Sequence, residues 1–530
     1  MAQAKLRIRF RRIVVAAAAT GWLYAGQLGS WTNEQNRYHA FWDRFDAAAL
    51  ALGWLITSLA IFLLAEAIDR YGSSYLRKIG RYLFLLFTAD AIASWGVSTF
   101  VGVGFTSKWD WVFWIGWGFI AVLLVPLGRL LWKPTLLFLQ ITSPLPVLVL
   151  VQAFLWPAFV TPSDAPLYTV RQVPAEPITT FDQRKKPNEG TPPELETAPP
   201  VFVFVFDEWS YERTFADGDF LPELTHLHAL ASRCDVYHQA LSPGNETLIS
   251  LPRLLYAQTD GELVPSHGKL VWHKGEKNRS PTELPLFCDE LCARGYTVKV
   301  AGFYHPYPLL LKGRPIEAVA FPNDPKAPGL VPRSLEYLVY NGRFRTDPLS
   351  RELYRRIYAR YFSSRWAALQ AAIRREAFAA LDAPAKQITF VHWPLPHGPF
   401  IFDPDGTYRG PYDPIRDTMY GTPDDYHRHL LFLDHTIGEI VDRLHRSGAF
   451  DRSLLVMTSD HSWRRDPDPQ RDEASRNHRH VPLLIKHPGQ TERHDIDAPL
   501  VVNLKKILHE TIVEPSAENP PEPKVSRRSP

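Results

Sequence analysis

Two hydrophobic patterns divide this chain of 530 residues near residue 160. Before that point, apolar residues form five long runs, at 13–31, 47–68, 82–106, 111–132 and 135–160. An α-helix rises about 1.5 Å per residue, so about 20 apolar residues cross the hydrocarbon core of a bilayer. The pattern therefore predicts an N-terminal all-α transmembrane domain with five helices over residues 1–160.

Basic residues around these runs predict the orientation of the helices. Eleven lysines and arginines precede the first run or lie in every second loop, whereas three lie in the alternate loops. This asymmetry places the N-terminus in the cytoplasm, and five crossings then place everything after residue 160 outside. We expect a multi-pass protein of the bacterial cytoplasmic membrane with a periplasmic or extracellular C-terminal domain. No small-residue cleavage site follows the first run, so a removable signal peptide is not predicted.

After residue 200 the pattern changes to short apolar runs that alternate with amphipathic segments. The run "VFVFVF" at 201–206 is typical of a strand buried on both faces. Further strands are predicted at 297–303, 388–393, 454–459 and 481–486, with helices at 283–294, 350–380 and 425–446. This alternation predicts an α/β sandwich with a mostly parallel central sheet over 201–513. A proline-rich linker at 161–200 precedes it, and a disordered tail at 514–530 follows.

Polar side chains follow several of these strands. Asp207 and Glu208 come after the first strand, Asp460 and His461 follow "LLVMTS", and "HWPLPHGPF" follows "ITFV" and contains His392 and His397. "NHRH", which ends at His480, precedes the last strand. Because the carboxyl ends of parallel strands meet at one edge of a sheet, these side chains are expected to converge. Carboxylates and imidazoles are ligands for Zn²⁺, Mn²⁺ or a harder divalent cation, so the pattern predicts a metal site.

Thr247, in "LSPGNETLISLPRLL", has two interpretations. A threonine hydroxyl is a poor nucleophile unless a base, a lowered pKa or a metal activates it, and a metal site nearby would do so. Alternatively, Thr247 or Ser250 only caps a helix that begins near Leu251. Local sequence leaves both open.

Other polar residues carry less information. Asp90 lies inside the third apolar run, where a carboxylate is costly, and both a functional role and local pairing are open. Cys234, Cys288 and Cys292 fit neither a zinc ribbon nor a redox motif and are expected to be buried apolar residues. The basic clusters are accounted for by membrane topology, so nucleic-acid binding is not predicted.

Taken together, these residues resemble the alkaline phosphatase and sulfatase superfamily, in particular its membrane-anchored transferases. Lipoteichoic acid synthases and lipid A phosphoethanolamine transferases share the layout of five membrane helices, a linker and an external α/β domain. The resemblance is carried, in the family's order, by "VFVFDEWS", "SPGNETLISLPRLL", "HWPLPHGPF", "VMTSDHS" and "RHVPLLIKHPG", over about residues 200–490.

The resemblance implies roles for individual residues. Thr247 matches the nucleophile and binds the metal through its oxygen; the other implied metal ligands are Asp207, Glu208, Asp460 and His461. His397, His480 and Asn245 match substrate-binding positions. The metal is a divalent ion, either Zn, Mn, Mg or Ca. Leu241–Tyr256 contains no cysteine, so the formylglycine chemistry of typical sulfatases is disfavoured.

The implied function is a metal-dependent transfer of a phospho-alcohol group, phosphoglycerol or phosphoethanolamine, through a phospho-threonine intermediate. The donor is a membrane phospholipid and the acceptor is a cell-envelope glycan or lipid. Two alternatives stay open: a phosphodiesterase or sulfuric ester hydrolase that releases the group to water, and an inactive envelope scaffold.

Overall fold

The computed structural model describes residues 2–32, 44–100, 110–144, 198–266, 269–321, 329–340, 348–382, 386–412, 421–466 and 478–514. Most of the predicted linker and nearly all of the predicted tail lie outside these residues. The described part contains an N-terminal group of long helices and a C-terminal α/β domain.

The N-terminal helices are α1 (Ala2–Thr32), α2 (Arg44–Tyr71), α3 (Ser74–Phe100) and α4 (Asp110–Thr142). Among the described residues, one segment, Asp46–Tyr71, is long and apolar enough to cross a membrane. The predicted break between the fourth and fifth apolar runs is wrong, because α4 continues through Pro126 and Pro134 as one helix of 33 residues. The rest of the fifth predicted helix lies outside the described residues. Asp90 lies in α3 and is buried.

The strands of the C-terminal domain are β1 (Val201–Asp207), β2 (Phe215–Ala216), β3 (Asp219–Phe220), β4 (Asp235–Tyr237), β5 (Ala240–Leu241), β6 (Glu262–Ser266), β7 (Lys269–Lys274), β8 (Lys277–Arg279), β9 (Thr297–Phe303), β10 (Ile316–Phe321), β11 (Gln387–Pro396), β12 (Leu454–Ser459), β13 (Leu483–Lys486), β14 (His494–Ile496) and β15 (Leu500–Val501).

Its α-helices are α5 (Tyr211–Thr214), α6 (Thr225–Ala231), α7 (Thr247–Leu255), α8 (Asp289–Ala293), α9 (Tyr307–Leu310), α10 (Leu330–Tyr340), α11 (Pro348–Ala380), α12 (Pro423–Arg446) and α13 (Leu504–Leu508). A 3₁₀ turn, Pro281–Glu283, precedes α8, and a π-helical turn, His509–Val513, follows α13. The helix predicted at 283–294 is therefore shorter than expected.

Eight strands form the main sheet in the order β10-β9-β11-β1-β12-β13-β4-β14. The five strands from β10 to β12 are parallel, and β13 is antiparallel to both of its neighbours. The prediction of a mostly parallel α/β sheet is confirmed. Because β13 runs antiparallel, its first residue lies at the same edge as the carboxyl ends of the parallel strands.

Strand β1 occupies the centre of this sheet, and all seven of its residues are buried. Its phenylalanines, Phe202, Phe204 and Phe206, belong to a core on one face that also contains residues of α11 and α12. Its valines, Val201, Val203 and Val205, belong to a core on the other face with residues of α7 and α8. Alternate side chains of a strand point to opposite faces of the sheet. The run is apolar at every position because both faces of the strand are buried.

Candidate metal centre

Asp207 and Asp460 meet at the carboxyl edge of the central sheet. Strands β1 and β12 pair in parallel with Phe206 opposite Ser459, so the next residue of each chain segment leaves the sheet at the same level. The Asp460 N–H donates to the Phe206 carbonyl oxygen at 3.1 Å, which holds the two segments together at this edge. The strand-end pattern predicted this convergence, and the structure brings the two carboxylates together.

His461 lies between the two carboxylates. Its Nε2 is 3.5 Å from Asp207 Oδ1 and 3.5 Å from Asp460 Oδ2, and all three side chains are buried. Its Nδ1 is 2.9 Å from the Ser462 carbonyl oxygen. A carbonyl oxygen can only accept, so Nδ1 carries a proton, and Nε2 is the ring nitrogen that faces the carboxylate cluster.

His392 brings a second imidazole to the cluster from β11. Its Nε2 is 3.9 Å from Asp460 Oδ2. Its Nδ1 lies 3.1 Å from the Phe303 carbonyl oxygen and 2.9 Å from the Tyr307 hydroxyl, so the same argument places the proton on Nδ1. Burial lowers the pKa of His392 to about 4, although Asp460 acts in the opposite direction. The imidazole is therefore neutral, with its Nε2 lone pair directed toward the carboxylates.

The cluster fits a divalent cation. Four buried atoms, both Asp207 carboxylate oxygens, Asp460 Oδ2 and His392 Nε2, have no hydrogen-bond partner among the described residues. One ligand atom from each of these three residues lies within 4.8 Å of the others. Buried carboxylates are costly unless they are paired, hydrogen-bonded or bound to a metal. Mixed carboxylate oxygens and imidazole nitrogens suit Zn²⁺ or Mn²⁺.

The two carboxylates differ in their proton affinity. Burial and the neighbouring Asp460 charge raise the pKa of Asp207 well above its usual range. Burial also acts to raise the pKa of Asp460, but His461 and the hydrogen bonds to the carboxylate outweigh it, and the pKa of Asp460 is lowered. The site thus holds adjacent carboxyl groups whose mutual repulsion a cation would relieve.

Thr247 is the first residue of α7 and lies against this cluster. Its hydroxyl is 3.2 Å from His461 Nε2, and its carbonyl oxygen lies 2.9 Å from His305 Nε2. Helix α7 begins before Leu251, so the interpretation of Thr247 or Ser250 as the cap of a helix beginning there is wrong. The Thr247 hydroxyl instead faces the buried ligands from a helix N-terminus, where the helix dipole favours negative charge.

Glu208 follows Asp207 in a left-handed conformation, with φ of 64°. Positive φ is unfavourable for a residue with a Cβ and is often found at functional sites. Its N–H donates to Asp460 Oδ1 at 3.3 Å, and its Oε1 accepts from Arg464 Nε at 3.1 Å.

Burial acts to raise the pKa of Glu208, but His397, His461 and Arg464 lower it. The Glu208 carboxylate thus pairs with Arg464 beside the metal cluster, and its predicted role as a ligand stays a prediction.

The three predicted substrate-binding residues have different surroundings. His397 is half-buried. Burial lowers its pKa, although the charge of Glu208 acts in the opposite direction. Asn245 is exposed, just before the start of α7. Both ring nitrogens of His480 are engaged within the protein, 2.8 Å from Glu212 Oε1 and 2.8 Å from the His238 carbonyl oxygen. Substrate binding by His480 stays a prediction and would require one of these bonds to break.

Several residues at the site have no assigned role in the sequence prediction. His392 lies near the end of the predicted strand 388–393, and β11, which continues to Pro396, holds it inside the sheet. His305 and Tyr307 follow β9, so the rule that selects residues after strands also identifies them. Arg464 follows "SDHSW", and its pairing with Glu208 depends on the folded loop.

Buried carboxylates and imidazoles thus meet at the carboxyl edge of a parallel sheet, in a group that could hold a metal ion. The chain belongs to the Sulfatase family, whose sequence model matches residues 200–507.

Comparisons with individual proteins are more distant. No curated protein matches the chain by sequence. Among solved structures, the chain is similar to the lipoteichoic acid synthase LtaP from Listeria monocytogenes, with 14% identity, a TM-score of 0.35, and coverage of 60% of this chain and 73% of that chain. It is also similar to the phosphonate monoester hydrolase of Agrobacterium radiobacter, with 16% identity, a TM-score of 0.37, and coverage of 59% and 74%. The family assignment rests on the sequence match.

Proposed function

We propose that this protein transfers a phospho-alcohol group from a membrane phospholipid to a hydroxyl of a cell-envelope glycan or lipid, through a phospho-threonine intermediate. One observation carries the proposal: the Thr247 hydroxyl is 3.2 Å from His461 Nε2, beside buried Asp207 and Asp460 oxygens that have no hydrogen-bond partner among the described residues. A nucleophile next to a ligand cluster is the arrangement that covalent phosphoryl transfer requires.

In the first step the Thr247 hydroxyl loses its proton and its oxygen attacks the phosphorus; an O–P bond forms, and the bond between phosphorus and the diacylglycerol oxygen breaks. The diacylglycerol oxygen takes up a proton as it leaves. In the second step the acceptor hydroxyl loses its proton and attacks the same phosphorus; the bond between phosphorus and the Thr247 oxygen breaks, and that oxygen regains a proton. A divalent cation held by Asp207, His392, Asp460 and His461 would stabilise the ionised threonine oxygen and the charge on the phosphoryl oxygens.

Two residues beside the cluster support binding of the rest of the phosphoryl group. Arg464 has 40% of its side chain exposed, so its guanidinium is accessible to a substrate while one nitrogen bonds Glu208. His397 lies close enough to Glu208 for their charges to interact. Arginine suits phosphoryl oxygens because its fixed fork of N–H donors matches their geometry. We assign Arg464 and His397 to orienting the substrate anion.

The residue at position 247 favours phosphoryl chemistry over sulfate-ester hydrolysis by the formylglycine route. That route requires a cysteine or serine that is oxidised to an aldehyde, and the residue facing His461 is a threonine. Threonine retains its hydroxyl and forms a stable phosphate ester. A phospholipid donor agrees with the apolar α2 helix, which would hold the α/β domain beside its substrate at the bilayer.

The proposal is tested with the full chain in vesicles that contain phosphatidylglycerol and phosphatidylethanolamine, together with Mn²⁺ or Zn²⁺. Mass spectrometry of the peptide containing Thr247 is expected to show a phosphoglycerol or phosphoethanolamine adduct. Thr247→Ala should abolish the adduct and reduce turnover below detection, with the thermal unfolding midpoint unchanged within a few degrees.

Ser250→Ala is the matched control, since Ser250 lies on the same helix and is buried, but its hydroxyl has no hydrogen-bond partner among the described residues. This variant should keep the adduct. An active Thr247→Ala protein would overturn the mechanism. An adduct on Thr247 that releases free phospho-alcohol to water, with no labelled acceptor, would replace transfer by hydrolysis.

A further inference from the structure

Helix α10 joins the α/β domain to the N-terminal helices. It lies in the segment between β10 and β11 and packs against α2. Arg333 Nη1 donates to Asp46 Oδ1 at 3.1 Å, and the Tyr337 hydroxyl donates to the same carboxylate oxygen. All three side chains are buried, so this is a specific docked contact.

The contact extends along α2 as far as Gly53. A Cβ at Gly53 would lie 3.2 Å from the Ser334 carbonyl oxygen and 2.9 Å from the Tyr24 hydroxyl, so the missing side chain lets the α10 backbone pack closely here. Asp46 and Gly53 are about 10 Å apart along the helix axis, at 1.5 Å per residue. Because the apolar span begins at Asp46, α10 lies beside its first two turns.

The opposite face of α10 is apolar and exposed. Val331, Leu335 and Leu338 are spaced i, i+4, i+7 and are exposed by 55%, 51% and 36%. Residues with this spacing share one face of a helix. Helix α11, which contacts α4, repeats the pattern with Leu349, Leu353 and Ile357, exposed by 73%, 58% and 41%.

Helix α2, against which α10 packs, also has an exposed apolar surface. Its Leu55, Leu59 and Leu63 are exposed by 55–56% each. Water-exposed apolar surface of this extent is unfavourable on a soluble domain and marks an interaction site. Both α10 and α11 contact helices of the N-terminal group, which places their apolar faces beside the hydrocarbon that would surround α2.

We propose that α10 and the first turns of α11 insert into the lipid bilayer, in the leaflet nearest the α/β domain. The inserted surface consists of Val331, Leu335, Leu338, Leu349, Leu353 and Ile357. The buried Asp46–Arg333 contact fixes this surface at the level where α2 enters the membrane. The inference does not depend on the chemistry proposed for Thr247, since none of these residues belongs to the metal centre.

Site-directed spin labelling of the full chain in phospholipid vesicles tests this insertion. The background carries Cys292→Ser, because Cys234 and Cys288 are buried and Cys292 is partly accessible. Labels are attached to Leu335→Cys and Leu349→Cys. The control is Tyr408→Cys, which replaces an aromatic residue of the α/β domain that is 40% exposed.

At positions 335 and 349, collisions with oxygen should exceed collisions with a water-soluble nickel chelate, and the ratio should be several-fold higher than at position 408. A ratio equal to that at position 408 would mean that the surface faces water and would overturn the proposal. Low collision rates with both reagents would mean that protein covers the surface, a second copy of the chain for example, and would also overturn it.

Discussion

At the scale of single residues, Asp207 carries the largest electrostatic cost at the site. Its carboxylate is buried, neither oxygen has a hydrogen-bond partner among the described residues, and a second carboxylate, Asp460, lies beside it. Natural chains retain such arrangements where function requires them, because the uncompensated charge opposes folding. The repulsion between these buried carboxylates destabilises the fold. A bound cation would relieve it, so the same arrangement favours cation binding.

Asp207→Asn should therefore stabilise the chelator-treated protein at neutral pH and abolish stabilisation by Mn²⁺ or Zn²⁺. Burial and Asp460 raise the pKa of Asp207 in the folded chain, so this carboxyl supports folding while protonated. That support is lost as pH rises through the raised pKa. We expect the unfolding midpoint of Asp207→Asn in chelator to exceed that of the unsubstituted chain by at least about 2 °C, the shift for 1 kcal/mol in a domain of this size.

Scanning calorimetry at several pH values, with and without metal, measures both effects. The exposed Asp217→Asn is the control and should change neither the pH dependence nor the metal response. A lower midpoint for Asp207→Asn in chelator would contradict the electrostatic argument.

At the scale of elements, the position of His392 depends on β9 and the short helix that follows it. Gly302 of β9 lies opposite His392 of β11 in the parallel register. A Cβ at Gly302 would lie 2.6 Å from the Tyr307 ring and 2.9 Å from the His392 Cβ. The absence of a side chain at Gly302 thus allows Tyr307 to reach His392 Nδ1 and hold its ring.

Gly302→Ala should displace Tyr307 and His392 and weaken metal binding. We expect about 1–3 kcal/mol of destabilisation from overpacking, and a loss of metal affinity of about 10- to 100-fold, as for other changes around metal-bound histidines. Isothermal titration with Zn²⁺ measures the affinity. Tyr307→Phe, which removes the hydroxyl without adding volume, should lower the affinity with less destabilisation.

Thr297→Ala, at the exposed start of the same strand, is the control for Gly302→Ala. Unchanged metal affinity in both Gly302→Ala and Tyr307→Phe would remove His392 from the ligand set. The remaining carboxylates and His461 would then have to account for binding alone.

At the scale of the whole molecule, the Asp46–Arg333 pair links the α/β domain to the N-terminal helices. Both residues are buried, with side chains exposed by 0% and 9%. Removing one member of a buried pair leaves an uncompensated charge and typically costs about 3–5 kcal/mol, whereas replacing both by apolar residues costs much less.

Asp46→Leu and Arg333→Leu should each lower the thermal unfolding midpoint of the detergent-solubilised chain, and the double variant should recover most of the loss. The exposed pair Lys274–Asp260, at 2.8 Å, serves as the control. Lys274→Leu should change stability by about 1 kcal/mol or less. Losses that simply add in the double variant would show that the two residues are not energetically coupled.

The alternating apolar pattern made the sheet predictable. Strands β9 and β12 have the predicted bounds. All six residues of β12 are buried, as its continuous apolar run predicted. The carboxylates at 207 and 460 were predictable for a related reason, since residues after parallel strands meet at one edge. The predicted end of β11 at residue 393 is too early, because the strand continues to Pro396, which pairs with Asp207 although prolines suggest a loop.

The sequence by itself determined the class of fold and the carboxylate and imidazole composition of the site, because apolar periodicity and residue chemistry act locally. Local sequence left the role of Thr247 open, and the fold placed its hydroxyl against His461. Tertiary structure alone decided that His392 joins the ligands, that His305 and Tyr307 orient the site, and that α10 packs on α2. These contacts join residues far apart in the chain, and their geometry depends on strand register and close backbone approach at Gly302 and Gly53, which no local pattern encodes.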